Sequence, residues 1–173
     1  MANSSSASIR LLLKLFTNIN KLMVFAASAT LTATAVMLTC DVSRRYLFNA
    51  PLPASVEISS LLQAYVIFLP LAYTLAKNQH VRVTVLTGIL SQKLQKWLLF
   101  MAYMVMGIVA GTLAWHGWHE FVVSYSVNEI MMAPIIVYWW IGKFSAPFGL
   151  LILSLQAFLL AAALLMPSNQ KVK

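Results

Sequence analysis

Residues 41–57, DVSRRYLFNAPLPASVE, join the first two apolar runs of the chain and concentrate more charge than any other stretch of this length. This segment contains two of the four acidic residues of the protein and the adjacent arginines Arg44 and Arg45. Charge concentrated between long uncharged segments is typical of a connection that lies at one membrane surface. Two interpretations follow: a solvated turn with ordinary interfacial anchors, or a docking surface for another protein.

The composition places the chain in a lipid bilayer. Of its 173 residues, 61% are hydrophobic and 9% are charged, whereas a soluble domain carries about 25% charged residues. The net charge of +8 comes from basic residues at the ends of apolar runs, without interleaved aromatic residues, which argues against a nucleic-acid partner. The single cysteine, Cys40, excludes a disulfide within the chain and a cysteine-based metal cluster.

Four uncharged runs predict an all-α integral membrane protein with a single membrane domain, residues 1–173. Each run has the length that a membrane-spanning helix requires, about 20 residues. An N-terminal signal peptide and a lipoprotein cleavage site before Cys40 are alternatives for the first run, but that run begins late and is long for a signal core. The predicted transmembrane helices are residues 22–40, 58–76, 97–115 and 144–166.

Two further segments predict amphipathic helices at the membrane surface. Residues 1–21 form a polar tail followed by a basic, leucine-rich segment. Residues 77–96 form a connection with four basic residues and no acid, in which residues 80–96 carry apolar and polar side chains on opposite helical faces. Both patterns favour helices that lie in the interface.

Lysine and arginine counts predict the orientation. The N-terminal segment has three such residues, the connection 77–96 has four, and the tail 167–173 has two. The connection 41–57 has two, offset by two acids, and the connection 116–143 has one. The positive-inside rule therefore places both termini in the cytoplasm and the connections 41–57 and 116–143 on the outer side.

The predicted spans contain no Asp, Glu, Lys, Arg or His, so they lack the ionisable group that a transport site near the midplane usually needs. Threonine hydroxyls in the first span offer an alternative sodium site, although such hydroxyls usually bond to their own helix. His116, His119 and Glu120 share a helical face, but the neighbouring tryptophans favour an interfacial belt over a metal site. No pattern indicates an enzyme or a cofactor.

The ordered motifs of the chain resemble the small membrane subunit of tripartite ATP-independent periplasmic (TRAP) transporters, the DctQ family. The resemblance covers nearly the whole chain in length and in number of spans, and it is sharpest from Asp41 to about Leu86. The residues that carry it are Asp41, Arg45-Tyr46, Asn49, Pro51, Glu57, His80-Val81-Arg82-Val83 and Pro147-Phe148-Gly149.

The resemblance implies an accessory subunit of a sodium-coupled secondary transporter in the bacterial inner membrane. Its expected partners are a large elevator-type membrane subunit, a periplasmic substrate-binding protein that docks transiently, and membrane lipids. The expected cargo is an organic acid, with sialic acid and C4-dicarboxylates as the family substrates. A stand-alone oligomeric carrier or channel is the alternative.

The resemblance also implies roles for individual residues. One group is expected to form the outer docking surface or the ion pairs that support it: Asp41, Arg44, Arg45, Tyr46, Asn49 and Glu57. The spacing of Asp41 and Arg45 allows them to pair if the first helix continues past the membrane surface. His80 and Arg82 are expected to anchor the cytoplasmic connection to the partner or to lipid headgroups.

Overall fold

The computed structural model describes residues 2–77 and 91–165, with the side chains of the first helix described from Leu15 onward. Six helices follow one another in the described ranges: α1 (Ala2–Phe48), α2 (Ser55–Phe68), α3 (Leu71–Ala76), α4 (Gln92–Ser126), α5 (Trp139–Lys143) and α6 (Ser145–Leu165).

Four helical segments are long and apolar enough to cross a membrane, which confirms the predicted four-span, all-α class. The segments are Leu15–Phe48, Ser55–Ala76, Lys93–Ser126 and Trp139–Leu165. They are longer than the uncharged runs within them, so charged and polar helix ends project beyond the apolar runs. The cytoplasmic placement of the termini stays a prediction.

The first helix differs from its predicted form. Residues 9–21 are helical, but they continue without a break into the first span and on to Phe48. The physical reason lies in the sequence, because residues 2–48 contain neither glycine nor proline to interrupt the helix. Of the predicted interfacial helix 80–96, residues 80–90 lie outside the described residues, and residues 92–96 begin α4.

The two longest helices end in the same way. Asn49 follows α1 with a φ of 50°, and Asn128 follows α4 with a φ of 48°. Asparagine is one of the few residues that adopts this left-handed conformation readily, and it commonly ends helices for that reason. Helix α2 begins with Ala54 at its N-cap position, in the left-handed conformation with a φ of 58°, and Ser55 is the first helical residue.

Helices α4 and α6 pack most closely, through small residues on both helices. The hydroxyl of Ser154 donates to the carbonyl oxygen of Gly107 at 2.8 Å, and both partners are buried. Close approach of backbones at small residues is the usual way in which helices pack in lipid. The core between these helices and α3 contains Leu75, Tyr103, Ala110, Leu153, Ala157 and Ala161.

Helix α1 packs against α2, α3 and α6 through a second cluster. Its buried members are Met23, Ala27, Leu69, Ala72 and Ile152. The boundary between α2 and α3 falls at Leu69 and Pro70, as expected from the missing proline N–H.

A third cluster holds the connection between α4 and α5 against the first turns of α2. It consists of the buried residues Ala54, Leu61 and Val137, with Ile58, Met131 and Ala133 packed around them. The connections 49–54 and 127–138 therefore meet at one end of the bundle, which we call the loop end.

Candidate interaction site at the loop end

Asp41 fastens the connection between α1 and α2 to the last turns of α1. Its Oδ1 accepts a hydrogen bond from the backbone N–H of Leu52 at 2.7 Å. Its Oδ2 accepts one from Nε of Arg45 at 2.9 Å, and the second guanidinium contact measures 2.8 Å. Asp41 is 3% exposed, whereas the side chain of Arg45 is 48% exposed. The carboxylate is therefore an internal clamp, and the guanidinium covers it from the solvent side.

Arg44 also contacts the connection between α1 and α2, through Ala50. Its Nε donates to the carbonyl oxygen of Ala50 at 3.2 Å, and the N–H of Ala50 donates to the carbonyl oxygen of Arg44 at 3.3 Å. The left-handed conformation of Asn49 turns the chain between them. The two arginines therefore lie next to each other in α1, but Arg44 contacts the turn directly, whereas Arg45 acts on it through the carboxylate of Asp41.

The remaining predicted residues of this group lie at the same end but do not join the clamp. Tyr46 is 87% exposed. Glu57 lies in the first turn of α2, where the helix dipole favours an anion, and it forms no ion pair within the described ranges 2–77 and 91–165. The structure thus brings Asp41, Arg45 and Leu52 together and leaves Glu57 apart from Arg45. His80 and Arg82 lie outside the described residues.

A second polar network holds the connection between α4 and α5. The carboxylate of Glu129 accepts hydrogen bonds from Nζ of Lys143 and from the hydroxyl of Ser124, each at 2.7 Å. These two donors hold the pKa of Glu129 below its ordinary value of 4.5, because they favour the ionised carboxylate. The sequence contained a signal for this network: Glu129 and Lys143 are opposite charges that flank an uncharged apolar segment.

A buried amide pair links the far end of the bundle. Nδ2 of Asn20 donates to Oε1 of Gln156 at 3.1 Å, and the two residues are 1% and 3% exposed. Oδ1 of Asn20 is buried without a hydrogen-bond partner. The basic, leucine-rich pattern of residues 1–21 predicts a surface helix at residue 20, and Gln156 carries no predicted role. The available signal was Gln156, an amide within the apolar run 144–166. Such an amide usually finds a hydrogen-bond partner on a neighbouring helix.

The other residues considered for ion binding lie on α4 and α1. His116, His119 and Glu120 are exposed on α4, and no group of three such side chains converges within the part of the chain that the structure describes. The hydroxyls of four threonines in α1 each donate to the carbonyl oxygen four residues earlier in the same helix. These threonines are Thr30, Thr32, Thr34 and Thr39.

Comparison with known proteins agrees with the motifs and the fold. Residues 34–166 match the family described as tripartite ATP-independent periplasmic transporters, DctQ component. No curated protein matches the chain in a direct comparison of sequences. The family match begins within α1 and runs to the residue after α6, so it includes both polar networks at the loop end. In TRAP systems the DctQ component works with a DctM component and a substrate-binding protein. The chain therefore belongs to the DctQ family and is a small membrane component of a TRAP transporter.

Proposed function

We propose that this subunit braces the large elevator subunit of a sodium-coupled transporter for organic acids, such as sialic acid or C4-dicarboxylates. It does so as a multi-pass protein of the inner membrane with both termini in the cytoplasm. The sodium ions and the substrate bind to the large subunit. The connection 49–54, held by Asp41, forms part of the surface on which the loaded periplasmic binding protein docks.

One observation supports the accessory role most directly. Among the described residues, Asp41 is the only buried residue with an ionisable carboxylate or amine, and it lies at the loop end, not midway along a span. The other buried polar side chains are neutral: Asn20, Ser55, Ser124, Ser145, Ser154 and Gln156. Ion-coupled carriers usually place an ionisable group or a broken helix near the midplane. The second span is interrupted at Pro70, but the neighbouring residues Leu69 and Ala72 are buried in an apolar cluster.

Because Arg44 and Arg45 make different contacts, their variants can test the docking role and the bracing role separately. Arg45 is tied to the internal clamp through Asp41, so Arg45→Glu places two carboxylates side by side and disturbs the connection itself. Within residues 2–77 and 91–165 the side chain of Arg44 donates to the carbonyl oxygen of Ala50 and forms no ion pair, so Arg44→Glu reverses a surface charge and removes that one contact but keeps the clamp at Asp41. A charge on a docking rim acts mainly on the rate of association and on its salt dependence.

The test is uptake by the complete transporter, with subunit co-purification measured in the same cells. We expect Arg45→Glu to reduce uptake while the large subunit remains present, and Arg44→Glu to weaken uptake most at low concentrations of binding protein. Lys93→Glu is the matched control, because Lys93 is an exposed cation near the start of α4, away from the loop end. Unchanged uptake in both arginine variants contradicts the docking and bracing roles.

A stand-alone oligomeric carrier or channel is the alternative. Reconstitution of this subunit alone into liposomes separates the two functions. Sodium-driven accumulation of an organic anion by the isolated subunit contradicts the accessory role. Accumulation only when the large subunit and binding protein are present supports it.

A further inference from the structure

The connection between α4 and α5 contains an ordered and unusually apolar hairpin. We define the apolar hairpin as residues 130–138, IMMAPIIVY, which include no charged residue. Two backbone hydrogen bonds hold it: the N–H of Met131 donates to the carbonyl oxygen of Val137 at 2.8 Å, and the N–H of Trp139 donates to that of Glu129 at 2.9 Å. Its base is fixed by the ion pair of Glu129 with Lys143. The segment is therefore a defined structural element.

The two faces of the apolar hairpin differ. One face packs on α2, with Val137 buried and Met131 and Ala133 beside it. The other face leaves large apolar side chains exposed: Met132 is fully exposed and Ile136 is 72% exposed. Exposed apolar side chains on a structured element indicate a surface that is covered by something else.

Packing contacts set the depth of the apolar hairpin. Its buried face meets Ile58 and Leu61, which lie in the first two turns of a span that begins at Ser55. One turn further along α2, the hydroxyl of Tyr65 donates to the carbonyl oxygen of Ile141 in α5. The span Ser55–Ala76 has 22 residues, or about 33 Å at 1.5 Å per residue, close to the ~30 Å hydrocarbon core. The hairpin therefore lies beside the end of the span, where acyl chains meet headgroups.

The composition at this depth fits lipid. Tyr138 ends the apolar hairpin and Trp139 and Trp140 follow it directly, and such aromatic side chains concentrate at the headgroup level. A hairpin tip leaves backbone groups unpaired, so it is excluded from the hydrocarbon centre but tolerated at the wet boundary. We propose that the apolar hairpin is a membrane-interface anchor, which inserts Met132 and Ile136 into the lipid leaflet at the loop end. The partner of this surface is lipid, and the anchor operates whichever way the subunit faces.

Single cysteines labelled with a polarity-sensitive fluorophore test the proposal. The background is Cys40→Ser, because Cys40 is exposed and is the one cysteine of the chain. The test positions are Met132→Cys and Ile136→Cys. Phe48→Cys, at the end of α1 seven residues beyond the clamp at Asp41, or about 10 Å, is the aqueous control once its label is quenched by iodide as strongly as the free dye. Ile108→Cys, exposed near the middle of α4, is the control for contact with acyl chains.

The labelled proteins are placed in nanodiscs of zwitterionic and anionic phospholipids with headgroup-proximal nitroxide lipids, alone and in complex with the large subunit. We expect the labels at 132 and 136 to emit at shorter wavelength than the label at 48. We also expect them to lose more fluorescence to the lipid nitroxide than to aqueous iodide, with and without the large subunit. Iodide quenching equal to that at 48 overturns the proposal, because the hairpin then lies in water. Loss of nitroxide quenching on addition of the large subunit also overturns it, because the partner is then protein.

Discussion

The carboxylate of Asp41 accepts a hydrogen bond from the backbone N–H of Leu52 at 2.7 Å, across eleven residues of chain. This contact converts the end of α1 into a support for the connection to α2. Arg45 binds the other carboxylate oxygen, so one buried side chain organises both the helix end and the turn. Leu52 takes part in this contact through its backbone N–H, so the order of side chains along the sequence gives no indication of it.

Substitutions at Asp41 are expected to follow a defined order. Asp41→Ala removes the acceptor of the Leu52 N–H and is expected to lower the thermal stability most. Asp41→Asn keeps an acceptor oxygen and loses the ion pair, so its loss is smaller. Arg45→Ala is expected to have the smallest effect, because half-exposed ion pairs contribute little. Thermal unfolding in detergent, followed by tryptophan fluorescence, gives the order. An effect of Arg45→Ala equal to that of Asp41→Ala contradicts the clamp.

The buried amide pair predicts a non-additive result. Asn20→Leu or Gln156→Leu alone leaves one buried amide without its partner, at a cost of about 1–3 kcal/mol in the free energy of unfolding. The double variant Asn20→Leu/Gln156→Leu removes both amides, including the unpartnered Oδ1 of Asn20, and is expected to regain most of that loss. Unfolding equilibria of the four proteins in mixed micelles give the coupling energy. Additive losses argue against a direct pair.

The network around Glu129 predicts a pH dependence with a defined sign. Hydrogen bonds from Lys143 and Ser124 lower the pKa of Glu129 below 4.5, so the folded state favours the ionised form. The resulting stabilisation of the connection is complete at pH values above 4.5 and is lost as the pH falls through the lower folded-state value. Hydrogen exchange at the amides of Met131 and Trp139 is expected to accelerate in that acidic range.

Two carboxamide variants serve as the test and the control for this pH effect. Glu129→Gln is expected to give fast exchange at Met131 and Trp139 at every pH. Glu120→Gln is the matched control, because Glu120 is exposed on α4 and forms no ion pair within residues 2–77 and 91–165. It is expected to retain the pH dependence. Retention of the dependence in Glu129→Gln assigns it to another group.

The glycines of the bundle differ in the space around them. A Cβ at Gly149 would overlap the backbone carbonyl of Phe68, which has no freedom to move aside, whereas a Cβ at Gly117 would meet Pro147 at an ordinary 3.4 Å. Gly149→Ala is therefore expected to destabilise the protein by about 1–3 kcal/mol through overpacking. Gly117→Ala is expected to be neutral or stabilising by up to about 1 kcal/mol, since alanine favours helix more than glycine. Chemical denaturation of both variants in micelles compares them directly.

The surface of α1 shows that a hydrophobic pattern does not identify the packed face of a helix in a membrane protein. The leucine-rich stripe of residues 9–21 was expected to mark the apolar face of a surface helix. The structure leaves Leu15 and Ile19 exposed on the chain, as a lipid-facing stripe would be, and buries Asn20 and Met23. In water an apolar face seeks the core, but lipid is as apolar as leucine, so hydrophobicity no longer identifies the packed face. Small size and paired polar groups identify it instead.

The class of the protein, its four spans and its family could be predicted without coordinates, because they follow from hydrophobic length, scarcity of charge and short ordered motifs. The spacing of Asp41 and Arg45 even allowed their pairing. Three contacts became visible in the folded chain alone: Leu52 shares that carboxylate, Asn20 meets Gln156 across 136 residues, and the apolar hairpin packs beside Leu61. The physical reason is that lipid acyl chains are as apolar as a protein core, so hydrophobicity does not determine which face of a helix packs against the rest of the protein. Individual close contacts between distant residues, which no local pattern encodes, therefore set the arrangement.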